Sequence, residues 1–221
     1  MRARLALWAS EQTVELREVV LRSKPPELVA ASPKATVPVL VLPEGRVLEQ
    51  SLDIMRWALE RSDPLGWLNP THGTLDDMLA LVGQIDGDFK FYLDRYKYPG
   101  RYETDSSSRT TDVHRSAAGL VISELNARLT NQAHLFGLQA SLADMAIAPF
   151  VRQFAHVDPA WFSAQPWPQL QAWLAAWEAS DILAQVMQKY PAWRSGTTGE
   201  TFGSFQFQIN TRLGAKPQTV L

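Results

Sequence analysis

Cysteine is absent from the 221 residues. The chain as given can therefore form no disulfide framework and no thiolate metal site, and it offers no thiol nucleophile. Long apolar runs are lacking too: none approaches the about 18 residues of a membrane-crossing helix. The opening stretch Met1-Arg2-Ala3-Arg4-Leu5-Ala6-Leu7-Trp8 is too short and too interrupted for a secretory leader. Charge of one sign is missing as well, with 21 basic and 23 acidic residues spread along the chain for a formal charge of −2. Without a basic block to neutralise phosphates, nucleic acid is not expected as a partner. His72, His114, His134 and His156 lack metal-ligand spacing, and neither a Gly-Xaa-Ser-Xaa-Gly elbow nor a phosphate-cradling glycine loop occurs. The expectation is a cytoplasmic protein with no membrane association and no metal.

What is present is a globular composition, 46% hydrophobic and 20% charged, with Trp at eight positions. Residues 2–10 read as a helix with Leu5, Trp8 and Ala9 on one face, entered without a capping residue. Residues 13–20 alternate apolar with charged, the period-2 signature of a half-buried strand. Pro25-Pro26 then suits the first turn of a short helix that Ser32-Pro33 stops. Val37 to Leu42, the turn Pro43-Glu44-Gly45 and Arg46-Val47-Leu48 read as a hairpin. Ser51 is placed to cap a helix that turns Leu52, Met55 and Leu59 inward, with Asp53 in its first turn. After the breakers Asp63-Pro64-Leu65-Gly66 the pattern is helical, over residues 75–96, 112–129, 141–155, 168–179 and 181–190, and strand signals are missing. The chain from Ser195 on reads as an extended tail with Phe202, Phe205 and Phe207 as anchors.

Two short stretches carry more than periodicity. A proline opening a strand, as in Thr36-Val37-Pro38, is unusual because it cannot donate to the ladder. Twelve residues later comes Leu48-Glu49-Gln50-Ser51-Leu52-Asp53-Ile54 at a helix start, where free N–H groups and a partial positive charge suit an anion. Read singly, Val37-Pro38 is an ordinary strand start, Ser51 a plain cap and Gln50 a solvated loop residue. A third stretch, Gly137-Leu138-Gln139-Ala140-Ser141-Leu142-Ala143-Asp144, has the form of a capping box with Asp in place of Glu.

Together these stretches resemble the glutathione transferase superfamily, in its bacterial, omega-like or two-domain glutaredoxin-like form. Trp167-Pro168-Gln169-Leu170-Gln171-Ala172-Trp173 and Met187-Gln188-Lys189-Tyr190-Pro191 are similar to its late helices, so the resemblance runs from residue 1 to about 193. It implies an α/β, thioredoxin-like glutathione-binding domain at 1–62, a linker at 63–72, an all-helical bundle domain at 73–194 and a tail at 195–221. It also implies a cis Val37–Pro38 bond. The Val37 backbone would then pair with glutathione as an added strand does. Gln50 and Ser51 would hold the γ-glutamyl end, and Arg22 and Lys34 would give cationic contacts. Gln50 stands where glutamate is commoner, replacing a charged contact with a neutral one of about half the strength. The Ser141–Asp144 box is implied to be structural. Tyr92, Tyr96, Tyr98 and Tyr102 are candidates to line an apolar pocket.

Members of that family begin with a central strand and a loop carrying Cys, Ser or Tyr beside the glutathione sulfur, and only then enter the first helix. This chain begins inside that helix. Its thioredoxin-like domain is therefore read as incomplete, with no catalytic residue in the chain and the natural protein expected to extend about fifteen to twenty residues upstream of Met1, the reactive side chain among them. The missing strand belongs between residues 13–20 and the hairpin, and its loss leaves each with an unpaired edge. The resemblance implies glutathione as co-substrate, a small-molecule electrophile or mixed disulfide as the other reactant, and a homodimer. The expected activity is glutathione transfer, or thiol–disulfide exchange of the glutaredoxin type. The rival is a non-catalytic binding or scaffold protein of the same fold.

Overall fold

The computed structural model describes residues 1–102 and 111–203 and the backbone of 218–220. By its internal contacts the chain forms two units, Met1–Leu65 with Asp181–Leu221, and Gly66–Ser180. The helix that begins at Asp181 and the described residues after it group by their contacts with the first unit.

In the first unit, α1 (Arg2–Ala9) buries Leu5, Ala6 and Leu7 completely, and it lies against α3 (Ser51–Arg61) and α10 (Asp181–Val186). Between them in sequence come β1 (Val14–Leu16), α2 (Pro26–Ala31), β2 (Leu40–Val41) and β3 (Val47–Leu48). Proline in the first turn starts α2. Its Leu28 packs with Val39 against Val19, Ala31, Val41 and Val47. The turn at Gly45, with φ of +87°, joins β2 to β3.

Two further strands lie in the stretch from Ser195 on, which the sequence reads as an extended tail. β4 (Glu200–Phe202) pairs antiparallel with β1, and β5 (Gln218–Val220) lies parallel to β1 and antiparallel to β2. The sheet order is β3-β2-β5-β1-β4. β5 thus occupies the place where the family's first strand was expected, and the two edges read as unpaired are paired. Of the three aromatic anchors, Phe202 is 4% exposed. Phe205 and Phe207 lie outside the described residues.

In the second unit, α4 (Leu75–Gln84) runs through a π-helical turn (Ile85–Phe89) into α5 (Lys90–Lys97), where the periodicity predicts one unbroken α-helix. α6 (Thr111–Arg128), α7 (Leu142–Ala155) and α9 (Pro168–Glu178) follow the sequence pattern closely. A further short helix, α8 (Pro159–Ser163), has Asp158 at its start accepting from the Trp161 N–H at 2.9 Å. The Asn126 side chain does the same for α9, accepting from the Gln169 and Leu170 N–H groups at 3.0 and 3.1 Å. Phe89, Tyr96, Phe162, Trp161 and Trp167 surround or adjoin Phe154 with ring centroids 5.4 to 6.4 Å away. Tyr96 is thereby a core residue, while Tyr98 and Tyr102 take cations from Arg101 and Arg95.

The predicted box at the start of α7 is a hub. Asp144, 1% exposed, accepts at Oδ2 from the Ser141 N–H and hydroxyl at 2.9 and 2.7 Å. At Oδ1 it accepts from the Leu135 N–H and the Trp173 indole N–H at 2.9 and 3.0 Å. One carboxylate thus ties the α7 start to the preceding loop and to α9. Asp144→Ala strands several buried donors and is expected to cost about 3 to 5 kcal/mol in chemical unfolding, since each orphaned group costs about 1 to 3. Asp144→Asn keeps one acceptor oxygen and is expected to cost less; equal costs would mean that charge and donor satisfaction are not what the hub supplies.

Candidate functional site

The cis peptide bond falls at Val37–Pro38, immediately before β2. Val37 is 40% exposed, whereas the next apolar residues, Val39 and Leu40, are fully buried. The chain therefore dives into the core straight after this turn and leaves the Val37 face outside. That face is the wall of a cavity of about 600 Å³ within the first unit, inside the usual range for small-molecule sites.

The rest of the wall comes from three places. Met1 and Arg4 belong to the start of α1, Arg17 and Glu18 to the end of β1, and Lys189 and Tyr190 to the segment after α10. Three of the lining residues are basic (Arg4, Arg17, Lys189) and one is acidic (Glu18), a balance that favours an anionic guest. Arg4 pairs with Glu18 and lies 5.5 Å from the Tyr190 ring centroid. Arg17 bonds Glu15 at 2.9 Å and covers Trp193 at 4.5 Å. These contacts hold both guanidinium groups in fixed positions without consuming all their donors. Residues 187–190, predicted as helix, are not helical, which is how they come to line the cavity.

The second predicted element lies at the head of α3. Gln50, with extended backbone, is the capping position, and its carbonyl accepts from the Ile54 N–H at 3.0 Å. Ser51 is the first helical residue rather than the cap itself, and no side-chain capping bond is made. The Ser51 hydroxyl and the first-turn N–H groups therefore have no intrahelical task. Gln50 and Ser51 are not in the cavity wall that Val37 and Pro38 form.

The two expected cations fare differently from Arg4 and Arg17. Arg22 is exposed in the turn closed by the Val20–Ser23 bridge. The Lys34 ammonium lies 3.4 Å from the Glu49 carboxylate, which also accepts from the Ser32 hydroxyl. The Ser32 hydrogen bond first, and Lys34 after it, hold Glu49 below the usual carboxylate range. Sequence reading missed Arg4, Arg17, Lys189 and Tyr190 because nothing local marks them; they meet only through the fold. Among the described residues no group of three or more His, Cys, Asp or Glu is placed to hold a metal, and no helix is long and apolar enough to cross a membrane.

Residues 1–61 match the model of the glutathione S-transferase N-terminal domain, and residues 111–176 that of the C-terminal domain. No curated protein sequence matches the chain. Among solved structures, a glutathione S-transferase from Xylella fastidiosa is similar at TM-score 0.70 and 20% identity, over 85% of this chain and 91% of that one. A sphingomonad glutathione S-transferase complexed with glutathione is similar at 0.65 and 18%, over 84% and 91%. A Pseudomonas fluorescens glutathione transferase family member with two glutathione bound is similar at 0.69 and 16%, over 84% and 86%. At such identities the likeness is one of fold.

A carboxyl NMR titration is expected to find Glu49 ionising below the ordinary glutamate value, and Ser32→Ala to raise its midpoint more than Lys34→Ala does. A larger shift from Lys34→Ala would show that the ion pair, not the hydroxyl, governs this corner of the site. Because the folded value is depressed, the stabilisation that the cluster contributes is present above the unfolded pKa and lost as pH falls through the folded one.

Proposed function

Because the chain belongs to the glutathione S-transferase superfamily, we propose that its first unit binds glutathione as a co-substrate for thiol transfer to an electrophile or a mixed disulfide. The observation that carries this reading is the Val37–Pro38 turn, which forms one wall of a cationic cavity of about 600 Å³. Glutathione has two carboxylates, one ammonium and an extended peptide backbone. The Val37 backbone is assigned to that peptide as a short added strand would pair with it. Gln50 and Ser51 are assigned to the γ-glutamyl end, where the α3 first turn favours a carboxylate. Arg4, Arg17 and Lys189 favour the ligand's net negative charge, with Arg22 and Lys34 further out.

Conjugation forms a bond from the glutathione sulfur to the electrophilic carbon as the leaving group departs with its electron pair. Exchange forms a sulfur–sulfur bond as the second thiolate leaves the mixed disulfide. Both need the ligand thiol as thiolate. Met1 caps α1 and lines the cavity, so the positive end of that helix and the nearby guanidinium groups favour loss of the thiol proton. A second reading, a glutathione-transferase-fold binding or scaffold protein without turnover, is favoured by β5 between β1 and β2, the slot where family members carry the strand leading to the reactive loop.

Immobilised glutathione is expected to retain the protein, and free glutathione at a hundred times its dissociation constant to stabilise it by about 2.7 kcal/mol. Ser51→Ala is expected to weaken binding about five- to tenfold, the worth of one hydrogen bond. Retention with no turnover of a chloronitrobenzene or a glutathione mixed disulfide would favour the scaffold reading. Neither retention nor stabilisation would discard both.

A further inference from the structure

β1 and β2 do not bond to each other; Gln218–Val220 runs between them. Thr219 stands opposite Glu15 on one side and Val41 on the other. The ladder groups that β1 and β2 turn toward the sheet centre are therefore satisfied through this one segment.

The chain that delivers the segment is fastened to the same unit. Glu15 accepts from the Gly199 N–H at 2.8 Å and from Arg17 at 2.9 Å. The Trp193 N–H donates to the Glu18 carbonyl at 2.8 Å. Two glycines bracket β4 where no side chain fits. A Cβ on Gly199 would stand 2.5 Å from the Leu16 carbonyl oxygen, and one on Gly203, whose φ is +92°, would stand 2.1 Å from that of Gln12. Phe202 and Gln218 flank Val14 from opposite sides. Their separation is two strand spacings, about 10 Å, and the residues from Gly203 to Pro217 reach about 50 Å when extended.

We propose that Gln218–Val220 is a positioning segment for the candidate site: as central strand it holds β1, with Arg17 and Glu18 at its end, and β2, with the Val37–Pro38 turn at its start, in one register. Withdrawal of the segment unpairs both strands and takes apart two walls of the cavity. For the identity of the ligand this rests on the glutathione reading above. A molecule whose segment is withdrawn nine-tenths of the time binds its ligand about tenfold more weakly.

The cysteine-free chain makes the test clean. Residues directly opposed on antiparallel strands have Cα atoms about 4.5 to 5.5 Å apart, within disulfide reach. The full chain carrying Val41→Cys and Thr219→Cys is expected to close an intramolecular disulfide on mild oxidation, remain free of covalent dimer, and lose thermal stability on reduction. Arg56→Cys with Thr219→Cys is expected to stay reduced. In the full chain, Thr219→Pro, which removes a ladder N–H, is expected to abolish hydrogen-exchange protection at Val41, whose N–H is turned toward the segment and away from β3, while Thr219→Ala keeps it. Free thiols or disulfide-linked dimers in the first variant, or full protection in Thr219→Pro, would overturn the proposal. None of these readouts uses glutathione, so their failure is distinct from a failure of the parent chain to bind it; where the parent does bind, Thr219→Pro is expected to bind about tenfold or more weakly.

Discussion

The ladder that Gln218–Val220 makes with β1 on one side and β2 on the other is what the first unit depends on. A three-residue β1 and a two-residue β2 are too short to persist as open edges with their N–H and C=O groups facing water. Joined through a common neighbour, they become the middle of a five-stranded sheet. The unit is consequently discontinuous, Met1–Leu65 with Asp181–Leu221, and the intervening residues form a second body with its own aromatic core.

That arrangement explains where the cavity's charge comes from. Arg4, Arg17 and Lys189 come from separate parts of the sequence, and the two arginines are each oriented by a contact that the fold supplies. Arg4 meets Glu18 and Tyr190, and Arg17 meets Glu15 and Trp193. Tyr190 and Trp193 belong to the same late stretch that carries Gly199 to Glu15. One run of chain therefore orients the two arginines of the cavity wall and leads on to the strand that pairs with both β1 and β2.

Local chemistry was readable before any coordinates. Pro38 at a strand start, the Gly45 turn, proline in the first turn of α2 and the Ser141–Asp144 pair each declare themselves within a few residues, because backbone constraint and capping act at short range. Ser51 was placed one position too early in that scheme, since Gln50, a poor capper, takes the cap and spares the serine. The late strands were not readable. Glu200–Phe202 and Gln218–Val220 are three residues each, too short to show a period, and what makes them strands is a partner about 200 residues away. Gly199 and Gly203 were the only local trace, and their meaning depends on the Leu16 and Gln12 carbonyls they pass. The π-helical turn was hidden for a related reason: Ile85 and Phe89 fit an α-helical spacing equally well, and packing decided.

A central strand drawn from so far along the chain carries a smaller penalty than its separation suggests. Loop-closure entropy grows only with the logarithm of length, so closing about 200 residues instead of about 20 adds about 2 kcal/mol. Much of that loop is itself a folded body, which shortens it further. Burial of the Phe202 side chain contributes about 1.5 to 3 kcal/mol to β4, and the Glu15–Gly199 bond adds to it, so the chain is already fastened beside β1 before it reaches β5. Short strands with few partners are the elements that open first, so under the proposal above Gln218–Val220 is where the walls around Val37 and Arg17 begin to separate.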